Sequence, residues 1–261
     1  MFLFEYQAKE LVRQFGISVP QGAVATSDIR AIDIAQELGK GPWIVKAQIQ
    51  AGSRANGSLQ GHPNIPGVVR AQTLSEVKSA AKNMIGSRLI TPQTAKYGEN
   101  IESIYIEPIV DCQKELFLAL LVDGESGQVI CIASVKDSSL VERQAIDNPG
   151  SFIKVGLGYE SDISESLGKE IGARLSLREI SQQYFAILLC QMHSLFISHD
   201  LSLIEINPLG VTDNGNLIAL DARIIVDDNG LFRQPKLSSL NFRTNIGSPE
   251  QVASRFGFNY L

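Results

Sequence analysis

The 261-residue sequence lacks several features that define whole classes of protein. Its three cysteines, Cys112, Cys131 and Cys190, are widely separated and form no CxxC pair, which excludes a disulfide framework and a cysteine zinc site and favours a reducing compartment. No run of lysine and arginine occurs and the net charge is −5, which argues against a nucleic-acid surface. The longest apolar stretches, at residues 116–122 and 185–190, are too short to span a bilayer.

Histidine is also scarce, and no signal peptide is expected. His62, His193 and His199 are scattered and have no cysteine or serine partner in the pattern, so we interpret each as a core or surface residue. The few apolar residues after Met1 end at Glu5, unlike a signal peptide, and a cytoplasmic protein is predicted. A mitochondrial matrix protein that had lost its presequence would have a similar composition.

What is present is a globular composition, 44% hydrophobic and 20% charged, with alternating helix and strand patterns. At least two strand pairs are antiparallel hairpins, so the pattern predicts an α+β or mixed α/β fold rather than a purely parallel sheet. Predicted helices span residues 4–15, 29–39, 75–86, 178–199 and 248–257, and predicted strands span residues 42–49, 103–110, 114–123, 129–135 and 202–209.

The stretch SLIEINPL, residues 202–209, places two polar residues in an apolar strand. Alternate side chains of a strand point to opposite faces, so Glu205 and Asn207 share one face. Their apolar neighbours predict partial burial, and a buried carboxylate or amide is costly unless something pairs with it. The sequence therefore predicts a partner for this face.

A hairpin supplies one candidate partner. If Asp213-Asn214-Gly215 forms a three-residue loop, Asn207 pairs with Asp221 and Glu205 with Arg223, and the amide and carboxylate oxygens suit Mg²⁺. A two-residue turn would instead shift the register by one, so that Asn207 would face Ala222. From spacing alone, an ordinary polar cross-strand pair with a Glu205–Arg223 salt bridge is the simpler explanation.

Earlier in the chain, Lys46 closes an apolar strand, and a Gly-rich loop follows at residues 52–57. A buried lysine needs an anion such as a nucleotide phosphate, although a lysine that extends its ammonium to solvent at a strand end fits too. Glycine amides and Arg54 suit phosphates, but the loop is neither a Walker A nor a GxGxxG motif, and a plain hairpin loop is the alternative.

Glu107 and Glu115 flank Pro108 between two predicted strands. Carboxylates at such positions suit ribose hydroxyls, and a proline-bearing hinge offers its backbone to the edge of an adenine. Surface charge at two strand ends is the simpler interpretation of these residues taken alone.

Five blocks in a fixed order carry a family resemblance: FEYQAKELVRQFGI, GPWIVKAQIQAG, IEPIVDCQKELFLA, LIEINPL and LFRQPKL. Together they resemble the ATP-grasp part of the β subunit of succinyl-CoA synthetase, a ligase of the tricarboxylic acid cycle, and malate–CoA ligase shares the pattern. The resemblance covers nearly the whole chain. It implies an ATP-grasp fold in which two α+β subdomains hold a nucleotide between them.

The same resemblance implies a role for each candidate residue. Lys46 would contact nucleotide phosphates, and the loop that includes Ser53, Arg54 and Ala55 would fold over them. Glu107 and Val110 would lie at the adenine hinge and Glu115 near the ribose, and Mg²⁺ would be held by Asn207 and Asp221.

The family reaction joins a dicarboxylic acid to coenzyme A while ATP becomes ADP and phosphate. The phosphoryl group passes to a histidine of a separate α subunit, so the implied partner is that CoA-binding subunit, with no nucleic acid and no membrane. This chain would supply positioning and charge neutralisation, with magnesium and ATP or ADP bound.

Several positions depart from the family pattern. The family's Gly-Gly-Arg-Gly-Lys loop reads Gly-Ser-Arg-Ala-Asn at residues 52–56, with an apparent insertion at residues 62–66, and serine adopts glycine's backbone angles less readily. A second loop, which meets the phosphohistidine in the family, lacks its glycines at residues 133–139.

The predicted organisation is an ATP-grasp domain over residues 1–240 with a lid-type subdomain inserted at about residues 21–105, then a linker and helix over residues 241–261. The family's C-terminal ligase domain is absent from this sequence. The alternative functions are a catalytically silent binding or regulatory module and a ligase for another carboxylic acid.

Overall fold

A computed structural model of the chain describes residues 1–135, 151–159 and 163–240. The predicted helix at residues 248–257 and most of the second family loop lie outside the described residues. Helices in the described part are α1 (Glu5–Gln14), α2 (Asp28–Glu37), α3 (Leu74–Met84), α4 (Glu165–Arg174), α5 (Glu179–Ser198) and α6 (Pro235–Ser239), with 3₁₀ turns at Arg54–Asn56 and Asp228–Arg233.

The described strands form three antiparallel sheets. In chain order they are β1 (Ala23–Ala25), β2 (Trp43–Ala47), β3 (Ser58–Leu59), β4 (Val68–Ala71), β5 (Arg88–Ile90), β6 (Glu99–Asn100), β7 (Ile104–Pro108), β8 (Lys114–Val122), β9 (Val129–Ser134), β10 (Ile153–Gly156), β11 (Leu201–Val211), β12 (Leu217–Ala219) and β13 (Ala222–Val226).

The first sheet has four strands in the order β1-β7-β2-β4 and is backed by α2 and α3. Helix α2 begins where the Ser27 hydroxyl accepts a hydrogen bond from the Arg30 backbone N–H, and its buried Ala31, Ile34 and Ala35 recur at helical spacing. These residues and the inner face of the sheet form one hydrophobic core between residues 25 and 106.

The second sheet runs β10-β9-β8-β11-β12, with β13 paired to the other part of β11. Helices α1, α4 and α5 cover it and form a separate core with its apolar face. Helix α5 is apolar on most of its surface, as expected for a helix packed against both a sheet and another helix. A Cβ on Gly168 of α4 would lie 2.5 Å from the Ala186 Cα of α5, so only glycine permits this close crossing.

The predicted α+β class with antiparallel hairpins is confirmed, and one helix begins a residue earlier than predicted. Helix α3 begins at Leu74, and its cap is Thr73, which accepts from the Glu76 N–H. The three cysteines, all within the described residues, form no disulfide. Among the described helices, none combines the length and apolarity needed to cross a membrane.

Candidate functional site

A cavity of about 830 Å³ lies between the four-stranded and six-stranded sheets. This volume is in the range of small-molecule sites. Strands β2, β4 and β7 line one wall, and β8, β11 and the β12–β13 connection line the other. The cavity brings together all nine residues singled out from the sequence: Lys46, Ser53, Arg54, Ala55, Glu107, Val110, Glu115, Asn207 and Asp221.

The register of the β11 hairpin is the one predicted from the three-residue loop. Glu205 lies opposite Arg223, and the Asn207 N–H donates to the Asp221 carbonyl oxygen at 3.3 Å. Gly215 closes the loop with φ +82°, a conformation that favours glycine. The alternative two-residue turn, which would set Asn207 opposite Ala222, is wrong. Glu205 and Asn207, on the polar face of β11, both line the cavity.

Asn207 carries a buried acceptor with no partner among the described residues. Its Nδ2 donates to Glu205 Oε1 at 3.2 Å, and because a carboxylate only accepts, this bond fixes the orientation of the amide. The amide oxygen Oδ1 is left buried and without a hydrogen bond. A buried unsatisfied acceptor is costly, so its presence beside the cavity indicates a site for a donor or a cation.

Asp221 stands next to Asn207, and one of its carboxylate oxygens is already bound. Its Oδ2 lies 2.5 Å from Arg54 Nη2. No group of three or more His, Cys, Asp or Glu residues able to hold a metal occurs in the described part of the chain. Mg²⁺ is commonly held by one or two carboxylates together with substrate phosphates, so one carboxylate and one orphaned amide oxygen fit that ion.

Lys46 reaches the cavity from β2 and is only 4% exposed. Its Nζ lies 2.8 Å from Glu5 and 2.6 Å from Glu107, and donates to the Leu220 carbonyl oxygen at 2.7 Å. Burial alone would lower the pKa of Lys46, but the attraction of the two carboxylates outweighs it and the pKa is raised. The alternative of a lysine reaching out to solvent is therefore wrong.

The ion pairs that hold Lys46 were not predicted from the sequence, and two members of the cluster, Glu5 and Lys9, were not singled out. Glu5 and Lys9 of α1 are buried, with Lys9 3.0 Å from Glu5 and 2.5 Å from Glu107. A signal was present, since positions 5, 9 and 12 share one helix face and Val12 belongs to the apolar stripe. Two charges on a buried face at i,i+4 spacing predict a buried ion pair rather than a surface one.

Glu5 is the centre of this cluster because three cations contact it: Lys9, Lys46 and Arg54, the last at 2.7 Å. Burial would raise the pKa of Glu5, but the nearby charges of these cations hold the pKa well below its usual range. The cluster contains three cations and three carboxylates and is neutral overall: Lys9, Lys46, Arg54, Glu5, Glu107 and Asp221.

The Gly-rich loop takes its turn at a serine. Ser53 has φ 56° and ψ 32°, the left-handed conformation, although it stands where the family has glycine. Gly52 approaches Gln93 closely, and its N–H donates to Gln93 Oε1 at 3.0 Å. Arg54 then turns inward and is 8% exposed, which places its guanidinium rather than a backbone amide next to Asp221.

The other end of the cavity is apolar and lies where β7 leads into β8. Ile44, Pro108, Ile109 and Val110 line it, and the Ile109 N–H donates to the Pro42 carbonyl oxygen at 3.1 Å. Glu107 belongs to β7, but its side chain is buried in the ionic cluster. The interpretation of Glu107 as surface charge is therefore wrong.

Glu115 lies at the start of β8 and is exposed at the margin of the cavity. Arg70, which sequence reasoning did not single out, lies on β4 opposite Ile44 and also lines the cavity.

Comparison with known proteins identifies the class that this geometry represents. A family model described as an ATP-grasp domain matches residues 2–211. The chain belongs to the ATP-grasp family.

Among characterised relatives, the chain is similar to β subunits of ADP-forming succinate–CoA ligase. It is 36% identical over 261 residues to the subunit from Xanthomonas oryzae pv. oryzae, covering 100% of this chain and 65% of the relative. It is 35% identical over 262 residues to that from Paramagnetospirillum magneticum, covering 100% and 66%. The resemblance predicted from the sequence is confirmed, and the chain spans about two thirds of the length of these relatives.

Solved structures support the fold. ATP citrate lyase from Methanothrix soehngenii, in complex with citrate and coenzyme A, matches with a TM-score of 0.66 at 18% identity over 97% of this chain and 59% of that chain. A dinucleotide-forming acetyl-coenzyme A synthetase from Ca. Korarchaeum cryptofilum, in complex with coenzyme A, acetyl-coenzyme A and a phosphorylated phosphohistidine segment, matches with a TM-score of 0.61 at 17% identity. That match covers 87% of this chain and 93% of the other.

Proposed function

We propose that the chain binds ATP or ADP with magnesium and forms the nucleotide-binding part of an acid–CoA ligase of the succinyl-CoA synthetase type. The observation that carries this proposal is the cavity, which has an ionic end, lined by Lys46, Arg54 and Asp221, and an apolar end, lined by Ile44 and Val110. A nucleotide has the same polarity, with anionic phosphates at one end and a flat apolar base at the other.

At the ionic end, Lys46 and Arg54 supply the positive charge that phosphates need. Both cations are paired with carboxylates, so phosphate binding proceeds by exchange, in which a phosphate oxygen takes the place of Glu5, Glu107 or Asp221 as acceptor. The guanidinium fork of Arg54 suits bidentate contact, and Lys46 acts as a point charge.

Asn207 and Asp221 would hold the magnesium ion. When bound there, the ion would neutralise phosphate charge and orient the terminal phosphoryl group. Glu205 binds the amide through its nitrogen, which leaves the oxygen without a hydrogen bond, and Arg54 holds Asp221 in the absence of nucleotide. The ligand set is therefore shaped by neighbouring side chains of this chain.

At the apolar end, the purine would rest against Ile44 and Val110, beside the β7–β8 connection. Glu115, exposed at the margin, would accept hydrogen bonds from the ribose hydroxyls. Phosphoryl transfer to a histidine of a CoA-binding partner subunit would follow in the complete assembly, and a cytoplasmic location fits the three cysteines without disulfides.

Calorimetric titration with ATP and ADP, with magnesium or with a chelator, tests this proposal. We expect magnesium-dependent binding in the wild type, and in Asp221→Ala a loss of affinity of at least about tenfold, or 1.4 kcal/mol. The matched control is Asp213→Ala, which removes the same charge from the exposed tip of the same hairpin and should bind normally. Absence of nucleotide binding in the wild type would overturn the proposal.

A binding module without turnover is the second candidate, and one observation favours it. The loop that covers phosphates in the family has lost a lysine at Asn56, and its arginine is folded onto the metal-ligating carboxylate. Such a module would bind nucleotide but would not transfer phosphate when mixed with a CoA-binding α subunit. Incorporation of labelled phosphate into that subunit would exclude it.

A further inference from the structure

Lys9 is a buried cation that does not touch the cavity. Its side chain is 0% exposed and is absent from the cavity lining, whereas Lys46 is part of that lining. The two lysines contact the same two carboxylates, Glu5 and Glu107, so that the four side chains alternate in sign around a ring. The ammonium of Lys9 also lies 5.3 Å from the centre of the Tyr105 ring.

The two lysines are not equivalent within this ring. Lys46 comes from β2 and faces the cavity, so it alone can exchange a carboxylate for a ligand phosphate without leaving its strand. Such an exchange would leave Glu5 and Glu107 short of one positive charge in a buried place. A buried carboxylate without a partner costs several kcal/mol or takes up a proton.

We propose that Lys9 is a positioning residue that keeps Glu5 and Glu107 ionised and in place when Lys46 turns toward a nucleotide phosphate. The proposal rests on the nucleotide-binding function proposed above. It assigns the two lysines different tasks: Lys46 meets the ligand, and Lys9 remains behind as the counter-charge of the carboxylates.

The charges around the ring support this division. Besides its own four members, the ring is faced by Arg54 from the 3₁₀ turn, Tyr105 from β7 and Asp221 from the β12–β13 connection. Burial, and next the repulsion of Lys46, lower the pKa of Lys9. Movement of Lys46 out of the ring would weaken that repulsion and so favour the protonated form of Lys9.

Three forms of the chain test the proposal: wild type, Lys9→Met and Lys9→Arg. Methionine has nearly the shape of lysine without its charge, and arginine keeps the charge in a larger side chain. If Lys9 acts through charge, Lys9→Arg should bind magnesium–ADP better than Lys9→Met, which should lose at least about tenfold in affinity. If Lys9 only fills space, the order of the two variants should be reversed.

Proton uptake gives a second readout that packing would not change. Titration of magnesium–ADP in two buffers of different ionisation enthalpy yields the protons taken up on binding. We expect almost none in the wild type and about one per nucleotide in Lys9→Met, because a carboxylate must protonate when Lys46 leaves it. Normal affinity without proton uptake in Lys9→Met would overturn the proposal while leaving the proposed function intact.

Folding of the variants is checked by thermal unfolding. If Lys9→Met does not fold, the variant Lys9→Met/Glu5→Gln restores the charge balance of the ring and replaces it. There Glu107 has Lys46 as its one ring partner, so nucleotide binding should again take up about one proton. Binding without proton uptake in this variant would overturn the proposal, and no nucleotide binding by the wild type would overturn the proposed function along with it.

Discussion

The two ends of the cavity are stabilised in opposite ways. At the ionic end, Glu5, Lys46 and Arg54 are each at most 8% exposed, and each contacts more than one charge of opposite sign. At the apolar end, Ile44 and Val110 are only partly buried and contribute apolar surface. The charges of the ionic end depend on one another, whereas the apolar contacts of the other end are independent.

The two ends should therefore differ in how well they tolerate a substitution. Removal of one member of a buried ionic set leaves its partners uncompensated, so the effects there should be large and non-additive. Truncation of an apolar side chain at an open wall loses only its own contact, so the effects there should be small and additive.

The largest effect is expected from Glu5→Gln, which leaves three cations with one fewer anion. We expect a loss of about 3–5 kcal/mol in the free energy of unfolding, measured in urea at neutral pH. The matched control, Glu10→Gln, breaks an exposed pair with Arg13 and should cost less than about 1 kcal/mol. Equal, small losses in both variants would show that the cluster is not an interdependent set.

The pH dependence of Glu5 sharpens the same test. Its folded-state pKa is depressed by Arg54, Lys46 and Lys9 against the opposing effect of burial. Its contribution is therefore complete above the ordinary value of 4.5 and is lost as the pH falls through the lower folded value. The stability difference between wild type and Glu5→Gln should shrink below pH 4.5, and a difference that stays constant there would contradict this assignment.

Asn207→Ala should give the next largest effect, on magnesium rather than on folding. It removes the orphaned oxygen, and we expect the gain in ADP affinity on adding magnesium to fall at least about tenfold. Stability should change little, because a buried acceptor without a partner is removed together with one hydrogen bond. Asn216→Ala, on the exposed part of the same hairpin, is the control and should leave that gain unaltered.

At the apolar end, Ile44→Ala should weaken nucleotide binding by about 1 kcal/mol, or roughly fivefold, through lost contact with the purine. The same factor should appear with and without magnesium, since the Ile44 side chain is aliphatic and would contact the purine rather than the metal or the phosphates. Ile29→Ala makes the same change at a site on α2 that is 68% exposed and should leave binding unaffected. A loss that depends on magnesium would show that the two ends are not independent.

The smallest effect is expected from Ser53→Gly in the loop over the ionic end. Serine at φ 56° is strained, and glycine should raise the free energy of unfolding by about 0.5–1 kcal/mol after its own entropy cost. Ser176→Gly, at φ 55° between α4 and α5, should stabilise by a similar amount. Nucleotide affinity should change in Ser53→Gly alone, and lower stability in both variants would contradict the strain.

The sequence predicted the parts of this site that depend on local spacing. Gly215 and the alternation along β11 narrowed the hairpin to two registers, and the one with the three-residue loop, in which Asn207 meets Asp221, is the one found. The family resemblance implied a role for the other seven candidate residues, but neither the resemblance nor the pattern singled out Glu5 and Arg70, which also line the cavity.

Partners that come from distant parts of the chain could not be predicted. Glu107 meets Lys9 from 98 residues away, and that contact follows from how the two sheets are arranged, which no local pattern encodes. The inward turn of Arg54 onto Asp221, across 167 residues, is of the same kind. The Glu5–Lys9 pair would be an ordinary ion pair on an exposed helix, and it belongs to the site because this face of α1 is buried.

The most direct test of the account is a crystal structure of this chain with ADP and magnesium. We expect to find the purine beside Ile44 and Val110 and the phosphates at Lys46 and Arg54. The metal should lie on Asn207 and Asp221, and Lys9 should remain between Glu5 and Glu107. A nucleotide bound outside the cavity, or with its base at the ionic end, would contradict it.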